Sequence, residues 1–242
     1  MLLPIKQRRY LLYIWSLSWF FLVVLLLAPV SYGIFRLATV CLIAWIVVGA
    51  LVLFWHHQII RFISICICII SIVIAILPGH KFEPNILRKY YVQEMNSFIG
   101  TKYIWGGENK IGIDCSGLVR QGLVGANLKY GLLSLNSQLI REGISIWWFD
   151  ASAQALAEEY RNKTKVVMKA NSINELDHSK IQPGDIAVTQ DGQHTLGYIG
   201  NKIWIEADPQ YLKVIKVKVP EKNNMWFNVP IYIVQWQQFN FN

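Results

Sequence analysis

The chain has 242 residues, 54% of them hydrophobic, and a formal net charge of +8. This length allows one large domain, or a membrane segment followed by one domain of ordinary size. All 15 acidic residues lie after residue 78. Much of the positive charge therefore surrounds apolar runs, and the basic balance gives no reason to expect a nucleic-acid partner.

Three apolar runs come first, at residues 10–32, 37–55 and 59–77. Each has about the 20 residues that a helix needs to cross a bilayer. Basic residues precede the first run and lie between the second and third, whereas the first connection carries only Arg36. This bias predicts a cytoplasmic N-terminus, and three crossings then place everything after residue 78 outside. Three buried helices of a soluble core are disfavoured, because no polar residues alternate along the runs.

Helical patterns follow over residues 84–99 and from Cys115 onwards. Proline at the start and glycine after the end delimit the first of these helices. Residues 126–150 are harder to place, and the apolar run 144–149 favours a buried strand. Its aromatic side chains also fit a flap, or a surface that touches a membrane or a partner. A short helix is expected over 152–160, with an aspartate just before it as a cap.

After residue 184 the sequence changes to short β-branched segments separated by turn residues. Five strands are predicted, over residues 185–189, 195–199, 203–207, 212–219 and 231–236. Helices followed by a meander of strands predict an α+β fold, in which the Cys115 helix packs on an antiparallel sheet of about five strands.

Cys115 is the only cysteine outside the apolar first third. If Asp114 caps the helix, the thiol lies near the positive end of the helix dipole, which favours the thiolate. The alternative for a lone cysteine is a small buried core residue. The rest of the sequence has no paired-histidine or CxxC motif, so we expect no metal site and no cofactor.

A nucleophilic thiolate needs a base and a third group that orients the base. His194 is the best candidate, because His80 adjoins the apolar runs and His178 lies in a polar loop. On the returning strand, Glu206 and Asp208 share the face of His194 if the connecting loop has three residues, and a two-residue loop would turn both away. Either carboxylate could hold the imidazole in one tautomer.

Several motifs, in this order and spacing, resemble the NlpC-type cell-wall cysteine peptidases. They are Tyr103-x-Trp-Gly-Gly, then Gly-Ile-Asp-Cys115-Ser-Gly-Leu-Val, then Gln-Pro-Gly-Asp185, and finally His194 with Tyr198 and Gly200-Asn201.

The resemblance implies a papain-like fold with Cys115 as the nucleophile and His194 as the base. Its third polar position falls on Glu206, which it favours over Asp208, although the family more often has His, Asn or Gln there. It also places Tyr103, Asp114 and Ser116 at the substrate site.

The resemblance further implies a hydrolase of amide bonds in peptidoglycan stem peptides. The three apolar runs, which are unlike the signal peptide or lipid anchor usual in the family, predict that this hydrolase is anchored in the bacterial cytoplasmic membrane with its catalytic domain outside. We expect a membrane segment at residues 1–78 and the catalytic domain at 79–242, with an insertion near 126–150 that could reshape the cleft. The same triad would serve a transpeptidase, acyltransferase or deamidase, and a non-catalytic domain would bind wall or a partner protein. The sequence selects neither the cleaved bond nor a protein partner.

Overall fold

The computed structural model describes residues 5–240. The apolar first third folds into three helices, α1 (Ile5–Leu27), α2 (Gly33–Leu53) and α3 (Gln58–Ile76). Each is long and apolar enough to cross a membrane. Within α3, all of which the structure describes, Ser64 is the single buried residue. A helix whose apolar side chains face outward on all sides is suited to lipid.

Four helices follow: α4 (Pro84–Asn96), α5 (Cys115–Leu133), α6 (Ser137–Trp148) and α7 (Ala153–Ala157). Both α4 and α6 pack against α5. Ser152 caps α7, because its hydroxyl accepts a hydrogen bond from the backbone N–H of Ala155. The predicted cap, Asp150, instead pairs with arginine side chains near the cleft.

The prediction of a buried strand over residues 144–149 is wrong, because this run is the end of helix α6. Asn136 begins the helix, since its side-chain oxygen accepts from the backbone N–H groups of Gln138 and Leu139. Buried residues recur along α6 at the three- and four-residue spacing of a helix. A short apolar run does not by itself distinguish strand from helix, and here the helical pattern that precedes it decides the structure.

The sheet has six strands in the order β1-β6-β2-β3-β4-β5, and all neighbouring pairs are antiparallel. The strands are β1 (Thr164–Ala170), β2 (Ile186–Thr189), β3 (Thr195–Gly200), β4 (Ile203–Asp208), β5 (Lys213–Lys218) and β6 (Ile231–Trp236). The five predicted strands are confirmed as β2 to β6, and β1 is an additional edge strand. Exposed residues alternate along β1 with better buried ones, the pattern of a strand with one face exposed.

Side chains of the two sheet faces enter two separate hydrophobic clusters. Residues such as Tyr91 of α4, Leu118 of α5 and Ile205 of β4 form the cluster beneath the helices. On the opposite face, Ile173 and Phe227 belong to long connections that cover the strands. The α5 helix is thus fixed on a packed sheet, with its first residue at the edge of the domain's cleft.

The loop between α1 and α2 is hydrogen-bonded to the second part of the chain. The backbone N–H of Glu108 donates to the carbonyl of Pro29 at 2.8 Å. The Asn109 side chain donates to the carbonyl of Ala28 at 2.7 Å. The loop that precedes Cys115 is therefore held in part by the apolar helices.

Candidate active site

Helix α5 begins at Cys115, and Asp114 caps it as the sequence predicts. The Asp114 carboxylate accepts from the backbone N–H of Gly117 at 2.6 Å and from that of Gly106 at 2.8 Å, and the Ser116 hydroxyl donates to it at 3.1 Å. Burial raises the pKa of Asp114, and these hydrogen bonds oppose that rise. Both oxygens are therefore engaged in shaping the turn that presents Cys115.

His194 directly precedes strand β3 and is almost fully buried. Thr189 fixes its backbone, because the Thr189 hydroxyl accepts from the His194 N–H at 3.0 Å. The imidazole Nε2 lies 2.8 Å from the Glu206 carboxylate. This leaves Nδ1 as the ring nitrogen that can exchange a proton with the thiol of Cys115. The structure thus pairs His194 with Glu206, and Cys115 lies close enough to the imidazole to influence its pKa.

The β3–β4 hairpin places Glu206 on the same face as His194, but with a turn that the sequence did not predict. Asn201 and Lys202 form a two-residue turn, and both have positive φ, at 54° and 59°. A β-bulge within Tyr198–Gly200 shifts the register by one residue. The expectation that a two-residue connection turns Glu206 away is wrong, because the bulge supplies the residue that a longer loop would have contained.

Asp208, the other carboxylate considered from the sequence, serves a different purpose. Its Oδ1 accepts from the backbone N–H groups of Gln210 and Tyr211, at 2.6 and 2.9 Å. These bonds close the turn after β4. In the described residues, the carboxylate that is hydrogen-bonded to the imidazole is Glu206.

Two residues that sequence reasoning missed complete the surroundings of the imidazole. The Asn224 side-chain amide donates to Glu206 Oε1 at 2.6 Å. The Trp226 ring stacks on the His194 ring, with centroids 4.2 Å apart and planes 15° from parallel. The Asn224 side-chain oxygen also accepts from the backbone N–H of Trp226 at 3.0 Å. One short turn therefore positions both the carboxylate and the imidazole.

The environment of His194 favours its protonated form. Burial by itself lowers the pKa of an imidazole, but the hydrogen bonds and charges of Cys115 and Glu206 outweigh it and raise the pKa of His194 to about 9. Burial raises the pKa of Glu206, and its hydrogen bond with His194 opposes that rise. A protonated imidazole beside a cysteine stabilises the thiolate.

Tyr103 lies next to Cys115 and is half-buried. Burial, followed by the nearby charges of Cys115 and Asp114, raises the pKa of the Tyr103 phenol. The phenol therefore keeps its proton and can act as a hydrogen-bond donor beside the thiol.

A cleft of about 470 Å³ opens in front of the thiol. Its walls include Asp114, Cys115 and Ser116 on one side, and the segments 150–154 and 191–193 on the others. Its volume is within the usual range for sites that bind small molecules and short peptides. The described residues contain no group of three or more His, Cys, Asp or Glu residues arranged to hold a metal ion.

A buried ion-pair network forms one wall of this cleft. Arg36, in the first turn of α2, pairs with Glu108 at 2.6 Å and also with Asp150. Arg120 of α5 pairs with the same Glu108 and lies 3.7 Å from Asp150. The side chains of Arg36 and Arg120 are 0% and 1% exposed. A residue of the apolar first third is therefore paired with two carboxylates that line the cleft.

The profile of the NlpC/P60 family matches residues 100–229, which is more than half of the chain. The chain is also similar to dipeptidyl-peptidase 6 from Lysinibacillus sphaericus, with 40% identity over 67 residues. That match spans 28% of this chain and only 23% of the length of the relative.

Two solved structures are also similar to this chain over part of its length. The P60 domain of an antigen from M. avium subspecies paratuberculosis is 18% identical, with a TM-score of 0.39 over 63% of this chain and 96% of that one. The peptidoglycan hydrolase RipB from Mycobacterium tuberculosis is 19% identical, with a TM-score of 0.40 over 66% of this chain and 69% of that one. From the family profile and the helices packed on an antiparallel sheet, we conclude that the chain belongs to the NlpC/P60 family of papain-like peptidases and hydrolases.

Proposed function

We propose that this protein is a membrane-anchored cysteine peptidase that hydrolyses amide bonds in peptidoglycan stem peptides. The observation that carries the proposal is the buried His194 imidazole, which is hydrogen-bonded to the Glu206 carboxylate and is close enough to Cys115 for the two groups to interact. A nucleophile, a base and a group that orients the base are the parts that covalent catalysis requires. Membership of the NlpC/P60 family supports a peptide of the cell wall as the substrate.

The proposed reaction begins with attack of the Cys115 thiolate on the carbonyl carbon of the scissile amide. The developing oxyanion is stabilised by the backbone N–H of Cys115, at the positive end of α5, and by the Tyr103 phenol. His194 then gives its proton to the departing amine, and the carbon–nitrogen bond breaks. In the second half, His194 takes a proton from water, which attacks the thioester carbonyl; the carbon–sulfur bond breaks, the acid is released, and the Cys115 thiolate and protonated imidazole are restored.

The membrane anchor is the second part of the proposal. The ends of α1 and α3 that lie beside the catalytic domain carry no basic residue in their last turns. Lys6, Arg8 and Arg9 lie at the opposite end, at the start of α1, and Arg61 lies at the start of α3. Basic residues mark the cytoplasmic side of membrane helices, so this asymmetry supports a catalytic domain outside the cytoplasm.

The test of the chemistry is digestion of purified peptidoglycan by the full chain in detergent micelles. We expect the wild type to release peptide fragments with new amino termini, and Cys115→Ala to release none. Cys41→Ala, which changes an exposed cysteine of α2, is the matched control and should keep full activity. Equal release by wild type and Cys115→Ala would overturn the proposed nucleophile.

The test of topology is a reporter fused after residue 242. An alkaline phosphatase that matures only outside the cytoplasm should be active there, and a reporter that works only inside should be silent. The reverse result would place the catalytic domain in the cytoplasm and exclude the wall as its substrate.

A further inference from the structure

Helix α6 connects the ends of two of the apolar helices. At its start, the Ser137 hydroxyl donates to the carbonyl of Leu77, just after α3, at 2.8 Å. At its end, the carbonyl of Trp148 accepts from Arg36, in the first turn of α2, at 2.9 Å. Twelve residues of helix extend about 18 Å, close to the combined width of two packed helices. Helix α6 therefore lies across the ends of α2 and α3, parallel to the surface of any membrane that they cross.

Several exposed apolar side chains of the catalytic domain lie in segments next to the ends of the apolar helices. Leu132, Leu133 and Leu135 are 61%, 69% and 86% exposed, in the connection between α5 and α6. Ile144 of α6 is 48% exposed. Ile111 is 47% exposed and follows Asn109, which is bonded to the α1–α2 loop. We name these five residues the apolar rim.

The rim is tied to the point where the third apolar helix ends. The Asn136 side chain, next to Leu135, donates to the carbonyl of His80 at 2.7 Å. Arg141, one turn into α6, donates to the carbonyls of Ile74 and Leu77, at 2.8 and 2.6 Å. The exposed leucines are thus held within a few residues of the end of an apolar span, where the surface of the bilayer must lie if α3 crosses it.

We infer that the apolar rim rests in the lipid surface of the same bilayer that α1, α2 and α3 cross, so that the catalytic domain is docked on the membrane and not only tethered to it. This inference rests on the proposed membrane crossing. We choose lipid as the partner of the rim because the rim adjoins the ends of two helices whose own exposed side chains are apolar. The apolar surface of those helices and that of the rim are therefore continuous. Burial of leucine side chains in the acyl boundary is favourable, and short exposed apolar segments dock in this way.

The test uses the full chain in phosphatidylethanolamine and phosphatidylglycerol vesicles, with a photoreactive residue at one position at a time. Leu135→p-benzoylphenylalanine probes the rim, at a side chain so exposed that packing is undisturbed. Ile69→p-benzoylphenylalanine, in the middle of α3, is the positive control. Met225→p-benzoylphenylalanine, 55% exposed on the sheet face away from the helices, is the matched negative control.

After illumination, mass spectrometry should find lipid adducts at position 135 in a yield close to that at position 69 and several-fold above that at position 225. Equal yields at positions 135 and 225, with adducts at position 69, would overturn the docking and leave the membrane crossing intact. Absence of adducts at position 69 would overturn the crossing and the docking with it. Adducts at position 135 to protein instead of lipid would also overturn the docking.

Discussion

Two largely buried polar clusters lie near the same cleft, and they differ in the groups they contain. The cluster of His194, Glu206 and Asn224 contains an imidazole whose pKa is raised to about 9, within reach of ordinary pH. The network of Arg36, Glu108, Arg120 and Asp150 holds groups of fixed charge. Burial lowers the pKa of Arg120 to about 10, which still leaves it protonated at neutral pH.

We expect the imidazole cluster to transfer protons and the arginine network to hold the wall of the cleft in place. The imidazole cluster is contributed by strands and turns of the catalytic domain, whereas the arginine network joins that domain to α2. A change in the first should therefore alter the reaction and its pH dependence, and a change in the second should alter stability. The following four predictions test this division.

The largest effect is expected for His194→Ala. Removal of the base that transfers both protons should lower kcat/KM by about 10²–10⁴-fold. The free energy of unfolding is a necessary second measurement, because a retained value assigns the loss to chemistry. A variant that keeps more than half of the wild-type kcat/KM on peptidoglycan would contradict the proposed base.

Glu108→Gln should destabilise the protein most among the changes in the arginine network. It leaves two buried arginines with Asp150, whose side chain is 52% exposed, as their only carboxylate partner in the network. Loss of one partner from a buried ion pair costs about 3–5 kcal/mol. The measurement is denaturant unfolding in detergent, followed by near-UV circular dichroism of the catalytic domain.

The control for that measurement is Glu142→Gln, which breaks a pair with Lys163 that lies nearer the surface, with side chains 34% and 19% exposed. Exposed pairs contribute about 0–1 kcal/mol. Equal destabilisation by the two variants would show that the arginine network stabilises the fold no more than an ion pair near the surface does.

Glu206→Gln should change the pH dependence of activity. The wild type should lose activity as pH rises through about 9, where His194 gives up its proton. Glu206 helps to raise that pKa, so its neutral replacement should move the alkaline limb of kcat/KM to lower pH. The sign for stability is the same: a raised imidazole pKa stabilises the folded state below about 6.5 and loses that effect as pH passes about 9.

Asp208→Asn is the comparison for Glu206→Gln, since it also removes one buried negative charge near the site. Its carboxylate bonds to backbone N–H groups of a turn and not to the imidazole. The alkaline limb should therefore move less than in Glu206→Gln. An equal or larger shift would reassign the orienting role to Asp208.

Trp226→Leu should give the smallest of the four effects. The stacked rings are worth about 0.5–1.5 kcal/mol beyond the area they bury, so kcat/KM should fall by about tenfold at most. The neighbouring Met225→Leu, at an exposed side chain, should leave kcat/KM unchanged. A loss with Trp226→Leu as large as that with His194→Ala would mean that the indole does more than support the ring.

Much of this fold could be read from the sequence, because the relevant signals are local. Length and hydropathy located the three apolar helices, and the aspartate before Cys115 indicated the capped start of α5. The strands β2 to β6 followed from β-branched segments between turns. Strand β1 was missed although its residues alternate, since two lysines and no flanking glycine made it resemble a polar connection.

The parts that could not be predicted depend on contacts between distant residues. The bulge in Tyr198–Gly200 has no sequence marker, yet it decides that Glu206 faces His194. A long irregular connection, which no periodic pattern describes, brings Asn224 to Glu206 and Trp226 to the imidazole. From the sequence, Arg36 was interpreted only as a charge between two apolar runs. The residues near it in the chain give no indication that its partners are Glu108 and Asp150.

The hydrogen bonds between the α1–α2 loop and the loop before Cys115 limit how the chain can be divided. A fragment that begins at residue 79 would lack Arg36, and it would also lack the carbonyls of Ala28 and Pro29 that hold Asn109 and Glu108. Glu108 and Asp150 would keep Arg120 as a partner but lose Arg36, and the two amides would lose their acceptors. We therefore expect the second part of the chain to keep the shape of its cleft better when the first two apolar helices are present.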